Sequence, residues 1–555
     1  MLICFATFTF MVYYNKPLIL WAHDIGLLGI YGQLVMNGKI PHIDYVDVYS
    51  GGLSLIIATA FSLLGISSKA IFAIMIPVAA MILVLMFLCL SQFIDKGWAL
   101  LITMATALQS VFYYQVPMPT WFITLGGLAQ LLLLLRWHRD RNPYWMFFAG
   151  CICGITFAIK ITAVYAGALM LCSLYPVTKS IIGKIGRQLL FFCTMGFFTA
   201  LALSVTHAYA ILFILLPCLL ALSCLYIKQR SDHTDSYKAF CSYCLGGLSI
   251  VIPWALFYLK HKGIQQLVDG ILIKPSSRLT FAAMHPDSLS LVICFITSSV
   301  IFFLMQSGTR ARITYIIAAI LLAVTSWQAP FAFLLILPLL FMSYLAYQYR
   351  DKIDYSTLQV SLFYCAHAFG MLPFTHEGYL AYNLPLFSML CVVLLRTQSI
   401  LRITRWSFTA AILLSLYGFQ YFYLIHNTFP FARMLQTPRG IAHVLHIDYY
   451  TIRTLLRCLK HTPTSDAVLI GPDSPHLYFF SGHHVQQPSP YDFFEPKQIN
   501  AYSAARPDTF ATVIINRNPE FSKHVTGWNM QILKTRYPFM KRVGAYTVFS
   551  KYPLK

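Results

Sequence analysis

The chain has 555 residues, 58% of them hydrophobic and only 11% charged, with a mean hydropathy of +0.66. A soluble fold of this length cannot bury that much apolar side chain, so most of the chain belongs in lipid. The net charge of +21 is scattered over short loops, without a dense basic patch or interleaved aromatic module. It argues against a nucleic-acid partner and for membrane topology and anionic lipid phosphates.

Taken in chain order, about fifteen apolar runs approach the length that crosses a hydrocarbon core. They are expected at 2–14 (extending towards 22), 69–93, 98–114, 120–135, 144–159, 162–175, 189–206 and 210–227. The series continues at 239–258, 289–306, 313–327, 331–348, 357–374, 380–395 and 407–425. A basic leader and an A-x-A cleavage site are absent, so the first run reads as a retained helix. Between the first two runs, residues 15–68 form an outer loop. Its last part, Gly52 to Gly65, is apolar but short and reads as an amphipathic helix lying on the interface.

Alternating these spans collects Arg136, Arg139 and Arg141, Lys179, Lys184 and Arg187, and later basic clusters through Arg405 on one side. That side is expected to be cytoplasmic. The odd count puts everything after His426 outside. From residue 427 to 555 charged and polar residues become ordinary in frequency, which predicts a small extracytoplasmic α/β domain following a membrane domain of residues 1–426. Strands are expected at 466–471, 509–515 and 543–549, with a short helix over 476–482 stopped by glycine.

Of the 14 cysteines, only Cys458 lies outside the apolar runs, so no disulfide framework staples an exposed domain. Cys151 with Cys153, and Cys241 with Cys244, have no second pair and no neighbouring His, and read as small packing residues.

The chemistry concentrates in the first outer loop, which carries Asp24, Asp44 and Asp47 in a chain with only 19 acidic residues. Ionisable groups beside a bilayer are costly and usually mark a working site. With His23 and His42 beside them, the three carboxylates leave a divalent cation open, although their spacing matches no specific metal template. On the cationic side, Lys160 interrupts an apolar stretch where the fifth run turns into the sixth. Lys260, Lys262, Lys274 and Arg278 make the most basic outward loop, against the usual charge bias. His376 marks another helix end at the same face.

These residues resemble a family signature. Polytopic glycosyltransferases of the GT-C class, which use lipid-phosphate sugars, carry an Asp just after the first membrane helix, followed by a "G-(K/R)-x-P-(Y/H)-x-D" pattern. Asp24 matches the first element and Gly38-Lys39-Ile40-Pro41-His42-Ile43-Asp44 the second. The short apolar segment 52–65 takes the place of the family's interfacial segment, with Ser50-Gly51-Gly52 where proline is usual. Asp473-Ser474-Pro475, followed by Tyr478-Phe479 and Ser481-Gly482, is similar to stretches after the last membrane helix of bacterial members. The acid that often follows the first Asp is replaced by Ile25. The similarity comes closest to the bacterial branch of protein-mannosyltransferase-like and lipopolysaccharide-core-modifying enzymes.

The resemblance implies an all-α polytopic membrane protein of GT-C type with the small α/β domain appended. It implies transfer, with inversion, of a hexosyl or pentosyl unit from a polyprenyl-phosphate donor to a glycan, lipid or protein acceptor at the outer face of the inner membrane. Asp24 is then the expected base for the acceptor hydroxyl, and Asp44 and Asp47 further catalytic candidates. Lys160, Lys260, Lys262, Lys274, Arg278 and His376 are expected at the donor phosphate. No organic cofactor is implied. Two other classes share the composition: a polytopic lipid or glycan transporter or flippase, and a noncatalytic envelope assembly factor. The first should show inverted repeats and midplane charges, which the sequence lacks.

Overall fold

A computed structural model of the chain describes residues 22–112, 114–175, 180–205, 210–228, 234–274, 292, 296, 355–370, 372, 377–396, 432–484, 509–518 and 530–554. The expected runs at 2–14, 289–306, 313–327, 331–348 and 407–425, and the domain boundary near 427, fall essentially outside these residues.

The outer loop opens with helix α1 (Ala22–Met36). Asp24 lies within its first described turn. The second part of the loop forms α2 (Gly52–Leu64) as expected. Leu53, Ile57 and Phe61 of α2 are buried, while Leu55, Leu63 and Leu64 are exposed, the two-faced pattern of a surface-lying apolar helix.

The bundle follows with α3 (Ser68–Leu90), α4 (Lys96–Gln109), α5 (Pro119–Asp140), α6 (Tyr144–Ile159) and α7 (Ala163–Leu174). Next come α8 (Ile181–Ser204), a π-helical turn Ala210–Leu215 leading into α9 (Leu216–Lys228), and α10 (Thr234–Lys260). A short α11 (Ile264–Val268) continues as a π-helical turn to Ile273, and α12 (Tyr355–Phe369) and α13 (Glu377–Arg396) complete the described membrane part. Among the described residues, five helices are long and apolar enough to cross a membrane. Helix α8 begins eight residues before its apolar run, because Ser180 accepts a hydrogen bond from Gly183 N at 3.1 Å and caps a basic first turn. The paired cysteines 151/153 and 241/244 are half-buried on α6 and α10. There Gly150 and Gly246 admit the facing backbone: a Cβ at either would lie 2.0 Å from a carbonyl oxygen of the other helix.

The C-terminal part is α/β. A hairpin of β1 (Ala432–Thr437) and β2 (Gly440–Leu445) precedes α14 (His446–Lys460). Then come β3 (Val468–Gly471), α15 (Pro475–Ser481), β4 (Thr512–Asn516), α16 (Met530–Arg536), β5 (Phe539–Val543) and β6 (Tyr546–Ser550). The sheet runs β3-β4-β6-β5, parallel between β3 and β4 and antiparallel elsewhere. Strands β3, β4 and β6 are buried throughout because helices cover both faces. Leu469, Val513, Ile515 and Phe549 pack with Leu533 and Tyr537 on one side, and Val468, Ile470, Ile514 and Val548 join the main core on the other. Burial on both faces explains their unbroken apolar runs.

This domain is seated on the bundle. Ser68 N, at the start of α3, donates to Arg439 O at 2.9 Å, and Ser68 Oγ donates to Ile441 O at 3.2 Å. Gly26 and Gly29 of α1 let α15 approach: a Cβ at 26 would lie 2.3 Å from His476 Cα, and one at 29 would lie 2.3 Å from the Phe479 ring. The opposite ends of α3 and α5 meet far from this seat, where Arg139 donates to Gln92 Oε1 at 2.6 Å. The basic cluster Arg136–Arg141 and the C-terminal domain thus occupy opposite ends of the bundle.

Candidate active site

The described elements that meet at the domain-bearing end carry the sequence's candidates with them. Helix α5 starts there because Pro119 occupies its first position, where the missing N–H costs nothing. Pro117 and Pro119 also force an extended segment ahead of it. That segment presents Tyr114, which is buried and held by Trp121 Nε1, donating to its carbonyl at 3.0 Å.

Tyr114 is the link to Asp24. Its hydroxyl donates to Asp24 Oδ2. That hydrogen bond orients the carboxylate. On the other side, His23 Nδ1 lies 3.5 Å from Asp24 Oδ1, and the two side chains keep 24% and 20% of their surface exposed. The carboxylate is positioned and still reachable.

Lys160 stands at the end of α6 in an extended conformation. Its Nζ donates to Thr120 Oγ1 at 2.9 Å and lies 5.5 Å from the centroid of the Tyr379 ring. Tyr379 meets Tyr382 edge-on at 5.6 Å, and Tyr382 meets Tyr114 edge-on at 5.6 Å. A continuous series, Asp24–Tyr114–Tyr382–Tyr379–Lys160, therefore joins the acid to the cation. The first loop is tied to the same turn: Ser50 N donates to Ile159 O at 3.3 Å, and a Cβ on Gly52 would lie 2.6 Å from Ala158 O. The glycine where the family resemblance expects proline is required by that approach, and Gly51 has φ of 92°.

The other acids are placed differently. Asp44 is exposed; its Oδ2 accepts from Ile40 N at 2.7 Å, and Lys39 Nζ lies 4.0 Å away. Asp47 is buried and accepts from Tyr49 N at 2.8 Å and Ser54 Oγ at 2.6 Å, joining the loop to the first turn of α2. Among the loop cations, Lys260 and Lys262 are exposed and Lys274 is half-buried. The turn Asp269–Ile273 packs on the first loop, where a Cβ at Gly270 would lie 2.1 Å from His42 Nδ1. Arg278 and His376 lie outside the described residues. Among the described residues, no group of three or more His, Cys, Asp or Glu side chains has a metal-binding arrangement.

Sequence reading missed Tyr114, Thr120 and His476. The first two sit in a polar break that reads as an ordinary interhelical turn, although Pro117 and Pro119 just after Tyr114 and Gln115 were a signal of a constrained loop. His476 comes from a separate domain, and no spacing rule links it to Asp24.

Two imidazoles here are held neutral. Burial lowers the His476 pKa from 6.5 to about 3, with the neighbouring His23 adding to it. Burial also lowers His42 from 6.5 to about 4, with a contact to the Tyr49 backbone opposing and Lys274 adding. The folded chain thus binds fewer protons than the unfolded chain below 6.5, and its stability rises with pH there. In detergent, the melting temperature should be level above 6.5 and fall as pH drops from 6.5 towards 4. His476→Gln should remove part of that fall, and a melting temperature that climbs on acidification would contradict the assignment.

No family model matches the chain, and no curated protein matches it. Among solved structures it is similar to ArnT from Cupriavidus metallidurans bound to undecaprenyl phosphate, at 11% identity and a TM-score of 0.45, over 99% of this chain and 98% of that one. It is also similar to ArnT from the same organism in the apo state, at 11% identity and a TM-score of 0.44, over 99% and 97% of the two chains.

Proposed function

We propose that the chain is an integral membrane glycosyltransferase that moves a sugar from a polyprenyl-phosphate donor to a hydroxyl-bearing acceptor. The observation that carries this reading is the series from Asp24 through Tyr114, Tyr382 and Tyr379 to Lys160. In it a carboxylate and an ammonium stand at one end of the bundle, separated by a wall of aromatic rings. Sugar transfer from a lipid phosphate needs that pairing: a carboxylate to take the acceptor proton, and positive charge for the departing phosphate.

In this reading Asp24 removes the proton as the acceptor oxygen attacks the anomeric carbon, and the sugar–phosphate bond breaks on the opposite face. Tyr114 holds the carboxylate in line. Lys160, positioned by Thr120 at the first turn of α5, meets the leaving phosphate, and the positive end of that helix adds to the attraction. Lys274 is a further contact on the donor side, and the exposed Lys260 and Lys262 draw anionic headgroups to this face. Asp47 keeps the loop docked and Asp44 closes the turn that starts at Ile40. The site end is assigned to the outside, because the Arg136–Arg141 cluster marks the other end as cytoplasmic.

Mass spectrometry of envelope glycans and lipids, with and without the chain, tests the activity. A product heavier by one sugar should appear only with the chain. Single cysteines in intact cells test the sidedness: one at Ser180 should resist an impermeant reagent, and one at the exposed Lys39 should be labelled. The reverse pattern would remove the outer-face mechanism.

A further inference from the structure

We propose that the C-terminal domain supplies one wall of the acceptor subsite, with His476 taking a hydrogen bond from the acceptor beside the His23–Asp24 pair. The inference rests on the transferase reading above and names the part of the molecule that recognises the acceptor.

His476 is buried, at 8% exposure, and its Nδ1 has no hydrogen-bond partner among the described residues. Buried polar atoms are paired in nearly all native structures, so an orphaned one calls for a reason. Its location gives one. The His476 ring lies 6.0 Å from the His23 ring, tilted by 47°, and His23 Nδ1 is 3.5 Å from Asp24 Oδ1. The backbone of His476 is fixed there by the close approach to Gly26, one turn or less along α1 from Asp24.

The imidazole is also of the right form. With its pKa lowered to about 3, it stays neutral, and a neutral ring offers one acceptor nitrogen and one N–H. A hydroxyl-bearing acceptor can donate to the first or accept from the second. The donor phosphate, being an acceptor of hydrogen bonds only, is served by Lys160 at the other end of the tyrosine series. The two substrates would thus be read by different domains, with the reacting atoms meeting at Asp24.

The test uses the full chain returned to cells that lack it, with transfer read by mass spectrometry. The same proteins, purified in nanodiscs, are titrated with undecaprenyl phosphate as the donor-side probe. His476→Leu should lower transfer by about tenfold, and His476→Gln, which keeps an amide donor and acceptor, by no more than about threefold. Both should bind undecaprenyl phosphate as the native chain does and melt at the same temperature at neutral pH.

Full transfer by His476→Leu overturns the inference. So does weakened undecaprenyl phosphate binding, which would move His476 to the donor side. Equal loss in both variants with a lowered melting temperature overturns it too, by reducing His476 to packing. If the native chain yields no sugar transfer, the underlying reading fails and this inference with it. A native chain that transfers while His476→Leu is unimpaired defeats this inference alone.

Discussion

Asp24→Asn should abolish most sugar transfer while leaving the protein folded and the lipid site intact. Asparagine keeps the size of the side chain and one oxygen to accept the Tyr114 hydroxyl, so the contact between α1 and the loop before α5 survives. What disappears is the ability to take a proton. Loss of a positioned general base costs roughly 10²–10⁴-fold in turnover, and donor affinity should be unchanged because the proposed phosphate contact is Lys160 and not Asp24. Tyr114→Phe separates orientation from basicity: the carboxylate remains but loses its fixed donor, and turnover should fall by about tenfold. Near-normal transfer by Asp24→Asn would exclude this residue as the base and turn attention to Asp44.

Lys160→Met should show the complementary pattern. Methionine retains an unbranched apolar stem alongside Tyr379 but removes the ammonium that donates to Thr120. A charge-assisted contact to a phosphate contributes about 1.5–3 kcal/mol, so undecaprenyl phosphate binding and the donor Michaelis constant should worsen by roughly 10–100-fold. Acceptor dependence should barely change. Arginine at 160 keeps the charge in a planar, bulkier form and should recover only part of the loss. Unaltered donor affinity with reduced turnover would show that Lys160 acts on the leaving group rather than in binding.

The membrane class was determined by composition, since no arrangement of this length could bury so many apolar residues. The expected limits of several helices follow from the same apolar runs: Tyr144–Ile159 agrees to the residue, and 69–93 and 162–175 agree to within a few. In the C-terminal part, β3, β4 and α15 were legible because strands covered on both faces become continuous apolar runs, and Gly482 stops the helix at φ of 82°. The edge strand β5, with Met540 and Arg542 exposed, lacks that signal, as does the hairpin β1–β2. Asp24 and Lys160 could each be singled out as charges at the ends of apolar runs.

Their proximity could not. Residues 24, 114, 160, 379 and 382 share no periodicity, and only the packing of α1, α5, α6 and α13 brings them into one series. The same holds for His476, which reaches Asp24 only because two glycines on α1 admit a helix from the far end of the chain. The sequence by itself determined which residues are costly to keep at a membrane face. Tertiary structure decided which of them meet, because side-chain contacts over hundreds of residues depend on helix packing and not on local pattern.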